Sequence, residues 1–203
     1  MKLYSSKWAP NPRRVRIFLK EKGIEVETVE VDMGAMQHRS PEVAAMNPLR
    51  QLPFLEFHDG AVLSESIAIC RYFEETHPEP PLFGRDAREK AFVEMWNRRV
   101  ELNFVMAVLS AFRHLHPAMV ASEVPQVPEW GEANKPKALA FLALLDRELA
   151  ERSYIAGEHF SVADITALVA FDFMKPARIT CPEEYANVWR WHRVVSARPS
   201  VSA

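Results

Sequence analysis

The sequence predicts an α/β fold followed by an all-α one, and three observations carry this. Up to residue 77, strand-like and helix-spaced segments follow one another in the order βαβαββα. The run His77-Pro78-Glu79-Pro80-Pro81-Leu82-Phe83-Gly84 then suits neither a helix nor a central strand, because proline lacks an N–H and fixes φ. Beyond it, every periodic segment has helical spacing. The expected organisation is a mixed-sheet domain over 1–77, a stiff linker over 78–85 and an all-helical domain over 86–203.

The elements justify themselves in turn. Lys2-Leu3-Tyr4 is a short apolar strand. Residues 12–22 carry Val15, Ile17, Phe18 and Leu19 at helical spacing and end at Gly23, the residue type that closes helices in the left-handed conformation. Residues 25–31 alternate as a half-exposed strand. Ser40-Pro41-Glu42 has the serine, proline and acid of a helix start. Residues 53–57 and 61–63 flank His58-Asp59-Gly60 as a hairpin, and 65–76 follow as a helix. In the second half, Asp86-Ala87-Arg88-Glu89 is a capping box opening a helical segment that reaches about His116. A loop spans 125–128. Residues 137–152 place Leu139, Leu142, Leu145 and Leu149 on one stripe. Ser161-Val162-Ala163-Asp164 is a second capping box, ahead of the apolar run 165–173. Pro182-Glu183-Glu184 starts a last helix bearing Trp189 and Trp191.

Composition narrows the class. Hydrophobic residues at 48% and charged residues at 26% match a soluble globular protein. A formal net charge of -2 gives no expectation of nucleic acid or of an anionic membrane as partner. No apolar run approaches the roughly 20 residues of a membrane span, and no apolar leader precedes the first strand. Cys70 and Cys181 are far apart with no C-x-x-C spacing, which argues against a disulfide framework, a zinc site and a dithiol motif. Cys70 falls on an apolar face beside Ile67 and Phe73 and reads as an inert core thiol. A reducing cytoplasmic setting, with no metal, is the expectation.

The most informative stretch is Leu49-Arg50-Gln51-Leu52-Pro53-Phe54-Leu55-Glu56 with Glu65-Ser66-Ile67-Ala68-Ile69 after it. A proline opening a strand leaves the backbone groups of Leu52 to bond an extended ligand as another strand would. Glu65 and Ser66 stand at a helix N-terminus, where outward N–H groups suit an α-amino-acid head group. Both features have plainer readings: Glu65-Ser66 as a helix cap, and Pro53 as the start of an edge strand.

Over nearly its whole length the chain resembles the soluble glutathione transferases. The resemblance rests on Lys2-Leu3-Tyr4, Arg14-Val15-Arg16 with Glu21-Lys22-Gly23, Asn47-Pro48 through Pro53, and Glu65-Ser66-Ile67-Ala68-Ile69. In the helical half it rests on Tyr154-Ile155-Ala156-Gly157-Glu158, Phe160 to Ile165 with the capping box, and Arg198-Pro199-Ser200-Val201. It implies a thioredoxin-like N-terminal domain and a C-terminal helical bundle. Glutathione would be the co-substrate: Leu52 before a cis-Pro53 would take its cysteinyl part, with Gln51 alongside. Glu65 and Ser66 would take the γ-glutamyl ends, and His38 the glycyl carboxylate. A lone loop histidine such as His38 is otherwise simply solvated.

Conjugation also needs the thiol ionised near pH 7, although a free thiol has a pKa of about 8.5. Here the sequence departs from the better-known classes. The positions of their serine, cysteine and tyrosine fall on Ala9, Asn11 and Ser5 or Ser6. Asn11 is the best local candidate, since its amide can donate to sulfur, although it cannot accept the proton. It reads alternatively as the helix cap. Glu129-Trp130-Gly131, residues 97–102 and Pro182-Glu183-Glu184 resemble the atypical fungal-type branch and its bacterial relatives. That branch is thought to hold a water on the sulfur with a serine and a histidine one turn apart. The matching positions are Leu109 and Arg113, whereas Ser110 and His114 lie one residue on. Arg113 would instead offer a positive charge.

The resemblance implies a small apolar electrophile between the domains, walled by Phe104, Val108, Phe112, Trp8 and Trp130, the last equally readable as packing. It also implies a homodimer, with Glu101 or Asn97 reaching the partner's glutathione. Asp164, Trp189, Trp191 and Phe173 read as structural. Two rival functions stand beside detoxifying conjugation. One is a glutathione-dependent disulfide oxidoreductase or peroxidase. The other is a non-catalytic binding or regulatory protein on the same fold.

Overall fold

The computed structural model of the chain describes residues 1–202. It divides into two compact units, one from Met1 to Pro81 that the segment from Pro199 rejoins, and one from Leu82 to Arg198.

The first unit has the expected order: β1 (Lys2–Ser5), α1 (Pro10–Lys22), β2 (Glu27–Glu30), α2 (Pro41–Met46), β3 (Phe54–Glu56), β4 (Val62–Ser64) and α3 (Ser66–Thr76). The crossover through α1 makes β2 parallel to β1, and the hairpin makes β4 antiparallel to β3. β3 joins β1 in antiparallel register, giving the order β2-β1-β3-β4. Period-two alternation sorts the faces. Leu3 lies opposite Leu55, and both are fully buried. Tyr4 lies opposite Phe54, with the rings stacked at 4.4 Å, on the face that gathers Val31, Val43 and Leu52.

Helix α1 begins at Pro10, two residues before the expected start, with Ala9 as its N-cap. It ends as the sequence predicts: Gly23 has φ +65, and its N–H returns to Leu19 and Lys20 carbonyls. In the last turn, Lys22 is buried. Its ammonium donates to the carbonyls of His77 (2.8 Å), Pro78 (3.2 Å) and Pro80 (2.6 Å) and pairs with Glu74 at 2.5 Å. The polypeptide leaving α3 is therefore tied to the end of α1. Helix α2 starts at Pro41, where the Ser40 hydroxyl accepts the Val43 N–H at 3.3 Å.

The second unit opens with α4 (Ala87–Val100), a π-helical turn (Glu101–Val105) and α5 (Met106–Leu115), which is the long segment expected to reach His116. Asp86 caps it by accepting the Glu89 N–H at 2.8 Å, whereas Glu89 reaches back to the Arg85 N–H rather than to Asp86. Helix α6 (Pro128–Leu149) starts nine residues earlier than its leucine stripe indicates. At Gly131 a Cβ would stand 2.6 Å from Leu115 Cγ and 3.1 Å from His114 Cβ, so glycine is what lets α6 cross so near α5. Its buried face runs through Ala138, Phe141, Leu142, Leu145 and Leu149; Leu139 lies at the edge of the stripe, half-buried.

Helix α7 (Val162–Asp172) is buried on every side through Phe171, as its unbroken apolar run requires. Its capping box closes in both directions. Asp164, fully buried, accepts the N–H groups of Ile155 and Ser161, the Ser161 hydroxyl and the Trp191 indole N–H, all at 2.9–3.0 Å. Helix α8 (Ala186–Ser196) does not start at Pro182. Asp146 of α6 accepts the first N–H groups of α8, from Asn187 and Val188 at 2.9 and 3.0 Å, so the cap comes from another helix. Trp191 fills the core as expected, whereas Trp189 and Phe173 are only half-buried.

Candidate functional site

In the first unit, three segments converge on a cavity of about 20 Å³: the start of α1, the loop 47–53 before β3, and the β4–α3 junction. Its walls are Asn11, Asn47, Leu49, Gln51, Leu52, Pro53, Ser64, Glu65 and Ser66. Six of these are the sequence's candidates.

The loop is held from below. Asn47 is buried, donates its amide to the Gln51 carbonyl at 2.8 Å and accepts the Leu49 N–H at 3.3 Å. The Leu52–Pro53 peptide is cis. Among the described residues, the N–H and C=O of Leu52 make no backbone hydrogen bond. Asn47 is a cavity residue beyond the sequence's candidates; the signal for it is an asparagine directly ahead of a turn, whose side chain bonds the backbone two residues on.

At the β4–α3 junction the capping reading fails in an informative way. Glu65 is the N-cap of α3 but makes no side-chain cap bond, and it sits at φ +69, a region that costs a non-glycine residue energy. Its carboxylate is exposed. Ser66 is 6% exposed, and its hydroxyl oxygen accepts from Arg14 Nη1 at 2.6 Å. Arg14, on α1, is 1% exposed, a guanidinium set behind the cavity wall. The first N–H groups of α3 add the positive end of a helix dipole. The junction therefore offers an acceptor and a cluster of donors side by side, complementary to an ammonium and a carboxylate on one carbon.

Asn11 is not the helix cap. It lies in the first turn of α1, between Pro10 and Pro12, which have no N–H, so its own is the one free donor among those three residues. The helix end alone is thus a weak anion site. Asn11 lines the cavity, and its Oδ1 is buried without a partner among the described residues. The loop ahead of it is anchored by Arg16, which donates to Ser5 Oγ (3.1 Å), Ser6 O (2.9 Å) and Lys7 O (2.9 Å). On that loop Trp8 is 82% exposed.

His38 is buried in the short helical turn 37–39 and is not among the residues lining the cavity. Burial, with Arg39 nearby, holds its imidazole below the ordinary 6.5.

The helical candidates separate. Phe104 and Val108 are fully buried, so they are core residues of the second unit rather than walls of an open pocket. Phe112 is half-buried, edge-on to Phe173. Ser110 and Trp130 line a groove of about 540 Å³ between the α4–α5 segment and α6, where Lys137 lies 4.2 Å from the Trp130 ring centroid. His114 turns to the loop before α6: its Nδ1 accepts the Val127 N–H at 3.0 Å, and its Nε2 lies 3.8 Å from Glu123. Arg113 is half-buried. Asn97, fully buried, accepts from Thr166 at 2.7 Å, so it does not reach outward to a partner. Glu101 pairs with Arg98 at 2.7 Å.

Two family models match the chain: the glutathione S-transferase N-terminal domain over residues 8–76 and the C-terminal domain over 104–199. Glutathione S-transferase 2 of Saccharomyces cerevisiae is 35% identical over 99% of this chain and 88% of its own length. A glutathione S-transferase domain-containing protein of Marinobacter aquaeolei superposes with TM-score 0.95 at 36% identity, covering 99% of this chain and all of that one. A class Gtt2 glutathione S-transferase of Vibrio parahaemolyticus superposes with TM-score 0.88 at 38% identity, covering 100% of this chain and 96% of that one. The chain belongs to the glutathione S-transferase family, on the side of its yeast and bacterial Gtt2-like members.

Proposed function

We propose that this chain is a glutathione transferase that joins the thiolate of glutathione to a small apolar electrophile. The observation that carries the reading is the cavity of the first unit, whose walls bring together two unused Leu52 backbone groups and the Glu65–Ser66 junction. In this reading Leu52 pairs with the cysteinyl part as a strand neighbour, with Pro53 and Gln51 shaping the approach. Glu65 accepts from the γ-glutamyl ammonium, and Ser66 donates to its carboxylate. His38 is the candidate for the glycyl carboxylate.

Asn11 donates its amide to the sulfur and stabilises thiolate without taking the proton. Any supporting role of the helical unit falls to Arg113 through its charge and Ser110 through its hydroxyl. His114 has Nδ1 engaged, which leaves Nε2 alone for a water. Among the aromatic candidates for an apolar electrophile, Trp8 and Trp130 are exposed and Phe112 is half-buried. The same reading takes the enzyme as a cytoplasmic homodimer in detoxification. A relay through the protein's own thiols draws no support, because burial pushes Cys70 up to about 12 and Cys181 up to about 11.

The test is calorimetric titration of wild type and Asn11→Ala with glutathione, following thiolate absorbance of the complexes against pH. Binding with a thiol pKa below about 8.5 in wild type, rising in Asn11→Ala, is the expected result. No binding by wild type sinks the reading. An unchanged pKa in the variant removes Asn11 from it and turns attention to Arg113 and Ser110.

A further inference from the structure

The buried Arg14–Ser66 contact has a consequence for which end of a ligand the cavity accepts. A guanidinium has only donors, so at 2.6 Å the Ser66 oxygen must be the acceptor. The Ser66 hydroxyl hydrogen then has to point elsewhere. Ser66 is 6% exposed, it lines the cavity, and among the described residues no acceptor is found for that hydrogen. It therefore points into the cavity, beside the first free N–H groups of α3. Without Arg14 the hydroxyl is free to rotate and to serve as either donor or acceptor.

We propose that Arg14 is a positioning residue that locks Ser66 as a donor and so makes this end of the cavity selective for a carboxylate. It does not touch the ligand; its charge and its hydrogen bond act through Ser66. The residue beside Ser66 sharpens the selection. Glu65, turned outward at φ +69, repels a carboxylate and welcomes an ammonium. The two neighbouring residues thus sort the two charges of one α-amino-acid group to opposite sides. The inference rests on the glutathione reading above and adds to it the residue that sets the polarity of the recognition.

The experiment compares steady-state kinetics with two thiols: glutathione, and its analogue lacking only the γ-glutamyl α-carboxylate. Wild type, Arg14→Met, Arg14→Lys, Ser66→Ala and the double variant Arg14→Met/Ser66→Ala are measured, with circular dichroism as the check on folding. Wild type is expected to prefer glutathione by about tenfold or more in KM, the scale of one hydrogen bond to a charged group. Arg14→Met should raise KM for glutathione by about that factor with kcat little changed, and leave KM for the analogue where it was. Adding Ser66→Ala to it should cost nothing further, and Arg14→Lys should recover part of the preference. Should Arg14→Met fail to fold, Ser66→Ala alone decides, because it must abolish the preference.

Equal losses toward both thiols in Arg14→Met, a fall in kcat without a change in KM, or a Ser66→Ala variant that still discriminates would each overturn the proposal. A wild type that binds both thiols equally overturns this inference and leaves the transferase reading intact. A wild type that binds neither overturns the transferase reading.

Discussion

Asp164 shows how much one side chain can carry. Its two oxygens accept four hydrogen bonds, joining the α7 cap to Ile155 and to the α8 indole of Trp191. Asp164→Ala leaves several buried donors without partners, and each costs about 1–3 kcal/mol. The expected loss is therefore about 3 kcal/mol or more, read from urea unfolding, well beyond an ordinary cap substitution. His38 gives a pH-dependent counterpart. Burial lowers its pKa, so below 6.5 the unfolded chain binds more protons than the native one. Its contribution is whole above 6.5 and lost as pH falls through the native value. Wild type should unfold at lower urea as pH drops below 6.5, and His38→Gln should show a flatter dependence; identical slopes would count against the assignment.

At the scale of elements, the last turn of α1 is where the first unit secures the chain that leaves it. Four acceptors surround the Lys22 ammonium, one of them the Glu74 carboxylate. Lys22→Met removes the charge that pairs with Glu74 and serves the three carbonyls, and losing one partner of a buried pair costs about 3–5 kcal/mol. Lys22→Met/Glu74→Leu should regain part of it, since an apolar pair of similar volume avoids the desolvation. A double variant no more stable than the single one would mean that Lys22 acts through the linker carbonyls alone. In the second unit, α8 illustrates the same dependence between elements. Its start is set by Asp146, forty-one residues earlier on α6, and not by the local Pro182-Glu183-Glu184.

On the scale of the molecule, the chain closes on itself: the segment from Pro199 returns to the first unit, although the whole helical unit lies between. Ser200 is buried and donates to Glu21 at 2.5 Å, and Lys20 reaches Ser202 at 3.3 Å, both on α1. Truncation after Arg198 should therefore weaken the first unit by about 1–3 kcal/mol, the scale of a hydrogen bond to a charged group. Helix content should hardly change. Differential scanning calorimetry distinguishes this from its alternative, in which the helical unit is the one to melt earlier.

Much of this architecture is legible in the chain because its signals are local. The βαβαββα order follows from alternation, helical spacing, the Gly23 stop, the Ser40-Pro41 start and the turn at Asp59-Gly60, each of which acts within a few residues. The places of Pro53, Glu65 and Ser66 around one cavity follow from equally local signals, a strand start and a helix start. What the sequence could not determine depends on groups far apart in it. Arg14 meets Ser66 only because α1 packs against α3; their fifty-two residues of separation leave no pattern to read. Phe104 and Val108 look like pocket walls from their composition, and only the packing of α6 and α7 around them makes them core. Asn11 moved from cap to first turn because Pro10, free of any need for an N–H donor, lets the helix begin earlier than its apolar spacing indicates. Local propensity and spacing decide which elements exist; burial and hydrogen bonding across elements decide which side chains they leave free to act.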